Sequence, residues 1–484
     1  MEGFWRWSVD GDRHALGAFL AVRGIAVVLT IAFVSLAPQL RGLVGSNGIL
    51  PLADRFPPLH GRDRLRIAHA LPTLCWWLRS DRSVVTLAWV GAAASALAAI
   101  GIAPVPCLIV GYVAYLSLGR ACDEFLSYQW DALILESTVV AVLLSPLDLT
   151  AFAPTPVPSP ALWLGWLLLF RLMFGSGWVK LASGDPTWRS LDALGYHYET
   201  QPLPTPPAWY AHRLPRPLQR GATAAALGIE LGVPFLIAGP RGLQAIAAAA
   251  FVGLMIVIQA TGNFAFFNLN AIALSLLLLD DSALAFVPLP VARGTVLPEL
   301  ASALVVTPLA LLAGCALAKQ LAPGWRVPRR VGRALSVASR YGLVAAYGLF
   351  AVMTTERPEI VIEGSDDGRT WIELHPRWKP GEPATGPRFV APHQPRLDWQ
   401  LWFAALSPGV RPWVLALLLR VLEGSPAVMR FFAPGTRVPR MVRAQLYRYR
   451  FADAETRART GAWWTRELLG EYVPAIALRA AVEA

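Results

Sequence analysis

Between Phe170 and Tyr210 the chain gathers the residues best suited to chemistry. Arg171 and Lys180 lie inside an apolar run, with Gly175 and Gly177 between them. An ionised side chain costs at least about 2.5–3.5 kcal/mol at mid-bilayer, so each must face protein, water or a partner. Arg23 and Glu136 stand in apolar runs of their own, and Asp131 marks the end of one. The spacing places Arg171, Gly175, Gly177 and Lys180 on one helical face or its neighbour, where small residues allow close helix approach. Asp185 and Pro186 read as the cap and first residue of a short interfacial helix carrying Trp188. His197-Tyr198-Glu199-Thr200-Gln201-Pro202-Leu203-Pro204 then sets polar groups against aromatic ones.

Two chemistries are open to that set. His197 can act as a general base, with Glu199 orienting a partner or a substrate cation. In an extended segment the two side chains point to the same side, which also suits a metal, but two ligands do not make a site. No metal and no cofactor are expected. The plainer reading is an ordered loop packed on helix ends, with Glu136 paired to an arginine to fix helix register. The candidate pocket therefore comprises Glu136, Arg171, Lys180, Asp185, Trp188, His197, Tyr198, Glu199 and Gln201; no catalytic residue is assigned. His14, His60, His69, His212, His375 and His393 read as surface or loop residues, and Asn263, Asn268 and Asn270 as groups satisfying the ends of a short span. No GxSxG, P-loop or HExxH occurs, so hydrolase, nucleotidase and zincin readings get no support.

The elements that must position these residues are set by composition. Of 484 residues 55% are hydrophobic and 15% charged, where soluble domains carry about 25% charge. Mean hydropathy is +0.46. A bilayer is the solvent that accommodates such a chain. The net charge of +11 lies in interhelical loops and the tail, which suits an anionic membrane surface rather than nucleic acid. Of 43 basic residues only Lys180, Lys319 and Lys379 are lysine, a bias toward GC-rich codons that points to a bacterial plasma membrane, or to the endoplasmic reticulum membrane if the source is eukaryotic. Cys75, Cys107, Cys122 and Cys315 have no CxxC or zinc spacing. The first apolar run exceeds a signal-peptide core and reads as a retained span.

Apolar runs predict about nine or ten transmembrane helices, near 16–37, 84–103, 105–119, 132–147, 161–182, 221–238, 243–260, 264–279, 300–318 and 335–352. The segment 71–78 is too short to cross and is expected at the interface. With ten spans, the distribution of Arg and Lys makes the odd-numbered loops cytoplasmic, including the one that holds His197, and puts the C-terminal part outside. The fold expected is an all-α polytopic bundle over 1–352, followed by a small soluble α+β domain over 353–484. In that domain, 359–363 and 370–374 read as strands about a turn at 365–368. A strand follows at 447–451, and 397–406 is an amphipathic helix. Trp399, Trp402, Trp463 and Trp464 are read as exposed aromatics able to hold a client.

These residues resemble a known family. Phe170-Arg-Leu-Met-Phe-Gly-Ser-Gly-Trp-Val-Lys180, Gly184-Asp-Pro-Thr-Trp188 and Tyr196-His-Tyr-Glu-Thr-Gln-Pro-Leu-Pro204 are similar to the lipase maturation factor family. So, in order, are Thr355 to Gly364, Trp378-Lys-Pro-Gly381, Pro395 to Trp399 with Trp402, Tyr447 to Phe451, and Trp463-Trp464. The helical part is more distantly similar to the vitamin K-dependent carboxylase superfamily. The resemblance implies a multi-span membrane protein, in animals of the endoplasmic reticulum, needed for lipases to reach their active fold. It also implies a lumenal soluble domain, a lumenal His197 loop and a cytosolic N-terminus. Three functions follow: a non-enzymatic factor that assists secreted lipases or other exported proteins, with membrane lipids as further partners; a membrane enzyme acting through Arg171, Lys180, His197 and Glu199; and, with least support, a transporter or scaffold.

Overall fold

The structure, a computed structural model, describes residues 11–57 and 64–478; His60 lies outside them. The apolar runs fold as helices α1 (Ala15–Leu36), α2 (Asp81–Ala99), α3 (Pro104–Cys122), α4 (Gln129–Leu144), α5 (Ser159–Ala182), α6 (Arg216–Leu231), α7 (Arg241–Thr261), α8 (Phe267–Ser275), α9 (Glu299–Leu321) and α10 (Arg329–Arg340). Local chemistry fixes their starts. Ser80 caps α2 by accepting from the Ser83 N–H. Proline opens α3, and further prolines immediately precede α7 and α9, where a missing N–H costs nothing.

Among the described residues seven helices are long and apolar enough to cross a membrane, two of them extended by a 3₁₀ turn: α1, α2, α3, α5, α6, α7 and α9. The shorter α4 and α8 pack between them. The chain is an integral membrane protein with a helical bundle.

The run 335–352 is not a tenth span. Helix α10 starts at Arg329 and ends at Arg340, with Arg329, Arg330 and Arg333 exposed, and residues 341–353 form no helix. This changes the topology. The ends of α1 and α7, the start of α4 and the loop after α5 all touch residues beyond 345. The His197 loop and the C-terminal unit therefore share one face of the bundle, against the charge count that separated them. Removing one span from the ten restores that shared side.

The C-terminal unit carries a four-stranded antiparallel sheet in the order β2 (Ile372–Leu374), β1 (Arg357–Ser365), β3 (Met441–Phe451), β4 (Trp464–Ala477). Ile362 faces Leu374, Val361 faces Gln445, and Tyr447 faces Leu468. Helices α11 (Arg396–Ala405) and α12 (Pro412–Leu422) pack between this sheet and the bundle. One apolar core runs through both parts, with Leu397, Leu401 and Leu417 continuous with Phe125 and Leu126.

Candidate functional site

The predicted polar residues do not converge on one pocket; helix α5 separates them. Arg171 and Lys180 are nine residues apart, so they leave α5 about 180° from each other and about 13 Å apart along its axis. The expected shared face is corrected by that geometry. On one side, Arg171 Nη1 lies 2.8 Å from Glu136 Oε2, with both side chains almost fully buried. The Tyr347 hydroxyl donates to Glu136 Oε1 at 2.9 Å, the Ala345 N–H donates to the same oxygen, and Arg171 donates to the Ala345 carbonyl.

This cluster receives the segment that the hydropathy pattern mistook for a helix. Non-helical backbone at membrane depth survives only where protein groups satisfy it. Beyond Ala345, the Gly348 N–H donates to Gln129 Oε1 at 2.9 Å, and Gln320 Nε2 donates to the Tyr347 carbonyl at 2.5 Å. Trp188 Nε1 donates to the Phe350 carbonyl at 3.0 Å. Asp185 accepts from the Met353 N–H at 2.6 Å while capping its own helix through the Thr187 N–H. Gly175 has no room for a Cβ, which would lie 2.8 Å from the Tyr347 carbonyl oxygen. Glu136, Arg171, Asp185 and Trp188 thus act together on 345–353.

On the other side of α5, Lys180 Nζ donates to both carboxylate oxygens of Glu230 on α6, at 2.6 and 2.5 Å. A Cβ at Gly177 would meet Glu230 Cβ at 2.9 Å, so the glycine permits the helix contact that makes the pair. Glu230 was missed by sequence reasoning. A lone carboxylate in the apolar run 221–238 carries the same insertion cost that singled out Glu136.

His197 and Glu199 lie on a short helix, Ala193–Thr200, rather than in an extended segment. Two residues of helix turn the side chains about 200° apart, so the expected common direction is corrected. Glu199 accepts from the Phe451 N–H at 2.5 Å and its carbonyl accepts from Arg357. Gln201 donates to the Thr261 carbonyl at 2.8 Å, and Tyr198 packs with Trp209, Tyr449 and Trp464. These residues hold the sheet against the bundle. His197 faces elsewhere: its ring lies against Phe264 and Phe350 and lines a cavity shared with Lys180 and Glu230. Burial, with Lys180 nearby, pushes its pKa down to about 4.

The four tryptophans read as exposed are not a free surface. Trp399, Trp402 and Trp464 are each at most 5% exposed, and Trp463 is half-buried under the Arg457 guanidinium at 3.5 Å. Trp402 Nε1 donates to the Thr200 carbonyl at 2.9 Å, and Trp399 packs edge-on against Trp130 at 4.8 Å. Their apolar area is used to join the two parts of the chain. The same seam holds a buried pair unseen in the sequence: Arg396 at the start of α11 reaches Asp131 of α4 at 2.6 and 2.8 Å, with the Tyr115 hydroxyl donating to Asp131 at 2.5 Å. In the sheet, Glu359 bridges Arg357 at 2.7 Å and Lys379 at 2.8 Å. Asn263 accepts from the Val390 N–H at 2.7 Å and donates to the Leu203 carbonyl at 3.1 Å.

No geometry here joins Arg171, Lys180, His197 and Glu199 into one reacting centre, so the enzyme reading is unsupported. Family models agree with the rest. The "Lipase maturation factor transmembrane domain" matches residues 17–286 and the "Lipase maturation factor C-terminal domain" matches 343–474. Lipase maturation factor 2 of Gallus gallus is 34% identical over 97% of this chain and 82% of its own. The Homo sapiens protein of that name is 34% identical over 95% and 82%, and lipase maturation factor 1 of Bos taurus 30% over 95% and 88%. No solved structure matches the chain. With both regions matched in order across nearly its whole length, the chain belongs to the lipase maturation factor family.

Proposed function

We propose that this protein is a membrane-anchored maturation factor that holds immature lipases, or other exported proteins, while they fold. The observation that carries the reading is the match of both regions, in order, to relatives named for lipase maturation. The surface offered to the client is the sheet edge. Strand β4 is 14 residues long and pairs only with β3 among the described residues. Its outer edge presents unpaired backbone groups to an extended chain, flanked by the exposed Leu468 and Leu469. The seam described above keeps this edge fixed relative to the membrane. The compartment that fits a bacterial chain is the plasma membrane. The C-terminal unit and the His197 loop then lie on the exterior face, equivalent to the lumenal side that the family resemblance implies and opposite to the side on which the Arg and Lys count places that loop.

Deletion in the native host tests this: secreted lipase activity is compared with secreted lipase protein. Lost activity at equal protein supports maturation of lipases; unchanged specific activity of all exported lipases overturns the lipase client, and unchanged specific activity of every exported enzyme overturns the reading. Re-expression of a Leu468→Lys, Leu469→Lys variant tests the edge, because two charges there oppose strand addition. Full rescue by that variant would move the client site elsewhere.

A further inference from the structure

Between α6, α7 and α5 the structure opens a cavity of about 470 Å³, within the range of small-molecule sites. Small residues on two helices make room for it among larger apolar ones. Ala222, Ala225 and Ala226 line it from α6, and Ala250 and Gly253 from α7. A Cβ at Gly253 meets no atom within 4 Å, so the space beside it is open. Helices α6 and α7 leave most of their surface to lipid: 28% of each apolar window is buried, against 67% for α5. Lining residues Ala225, Ala249 and Val257 are exposed on these helices, so the cavity borders the hydrocarbon. In a membrane the medium that fills such an opening is acyl chain.

The polar end of the cavity selects among lipids. Its charged lining residues are Lys180 and Glu230, and they neutralise each other through two short hydrogen bonds. A phosphate or carboxylate head would need a cation that is already committed. His197 is a further polar residue there, beside Ser176, Tyr198 and Thr261, and its ring has no hydrogen-bond partner among the described residues. It is stacked at 6.1 Å on Phe264 and edge-on at 4.8 Å to Phe350. Neutral at pH 7, it offers one donor and one acceptor. The helix that carries it also binds the C-terminal sheet, so the polar end lies on the side of that sheet.

We propose that this cleft binds one chain of a neutral, ester-bearing membrane lipid of the acylglycerol class, with His197 hydrogen-bonded to its carbonyl or hydroxyl group. The client-holding edge of β4 is not part of this site.

The test uses the full chain in phosphatidylcholine nanodiscs with a diacylglycerol probe bearing a photoactivatable diazirine in its acyl chain. Mass mapping is expected to place adducts on 222–229 and 250–257, on the order of tenfold above those on α9, the most lipid-exposed span. Unlabelled diacylglycerol competes and phosphatidic acid does not. Gly253→Phe fills the open space and brings labelling down to the α9 level with an unchanged melting temperature. His197→Phe keeps the ring contacts and lowers labelling by about three- to tenfold, the worth of one hydrogen bond. Even labelling of α6, α7 and α9 overturns the site, as does undiminished labelling of Gly253→Phe. Equal competition by phosphatidic acid overturns the neutral head group.

Discussion

The two faces of α5 carry the same chemistry in different settings. Toward α4, Arg171 and Glu136 are enclosed, and their remaining hydrogen-bonding capacity is used on a strip of non-helical backbone. Toward α6, Lys180 and Glu230 border an open cleft in a lipid-facing part of the bundle. A buried charge is tolerated by pairing in both places, but only the first is bound into the fold by further partners. The two ionic pairs on α5 are therefore of different kinds: one holds an irregular segment in place, and the other leaves room beside it.

The largest effect is expected where enclosure is most complete, at the seam. Arg396→Met leaves Asp131 buried without its cation, and breaking such a pair costs roughly 3–5 kcal/mol. Thermal unfolding of the purified chain in detergent should show it, with increased proteolysis between 385 and 395 as the C-terminal unit comes away. Arg171→Met should come next, at about 3 kcal/mol, because Glu136 keeps its bonds from Tyr347 and Ala345. The double variant Glu136→Gln, Arg171→Met should recover part of that loss. A double variant as unstable as the sum of the singles would show that the pair is not one unit. Lys180→Met should cost less, about 1–2 kcal/mol, since the pair borders an open cleft rather than an enclosed site. If Lys180→Met proves as costly as Arg171→Met, the distinction between the two faces fails.

Legibility in the sequence followed how local each signal was. The hydrophobic runs that became α1, α5 and α7 were visible because twenty apolar residues in succession have one solution. The hairpin of β1 and β2 was visible through its turn and alternation. Strand β4 was not, because Gly470 and Pro474 interrupt its pattern; an edge strand accommodates both. The segment 335–352 was misread because hydropathy measures transfer to oil and is blind to side chains waiting elsewhere in the chain. Glu136 and Arg171 were visible as charges in apolar runs and Trp188 on a short interfacial helix, while Gln320 gave no signal, and nothing local says that all four serve 345–353. The tryptophans show the same limit. An amphipathic helix at 397–406 was read correctly, but its apolar side faces the bundle rather than a client.

The smallest predicted effect is the pH response of the seam between α1 and the C-terminal unit. His393 Nδ1 lies 2.9 Å from the Ser35 hydroxyl of α1. Burial and the nearby Arg396 guanidinium hold its pKa down to about 4. An unfolded histidine takes its proton near pH 6.5, so between about 6.5 and 4 the unfolded chain binds a proton that the folded chain refuses. Stability is then lost as pH falls through that window. The buried Asp398 carboxyl, pushed up to about 6, acts with the opposite sign: it takes a proton in the fold before an unfolded aspartate does, and acid favours the folded state. The two partly cancel, so the wild-type slope is not diagnostic alone. Comparing His393→Asn with wild type from pH 7.5 to 5 isolates the histidine, and removing it should flatten the acid loss by on the order of 1 kcal/mol after allowing for partial exposure. An identical slope in both proteins would show that protonation of His393 does not loosen the contact with Ser35.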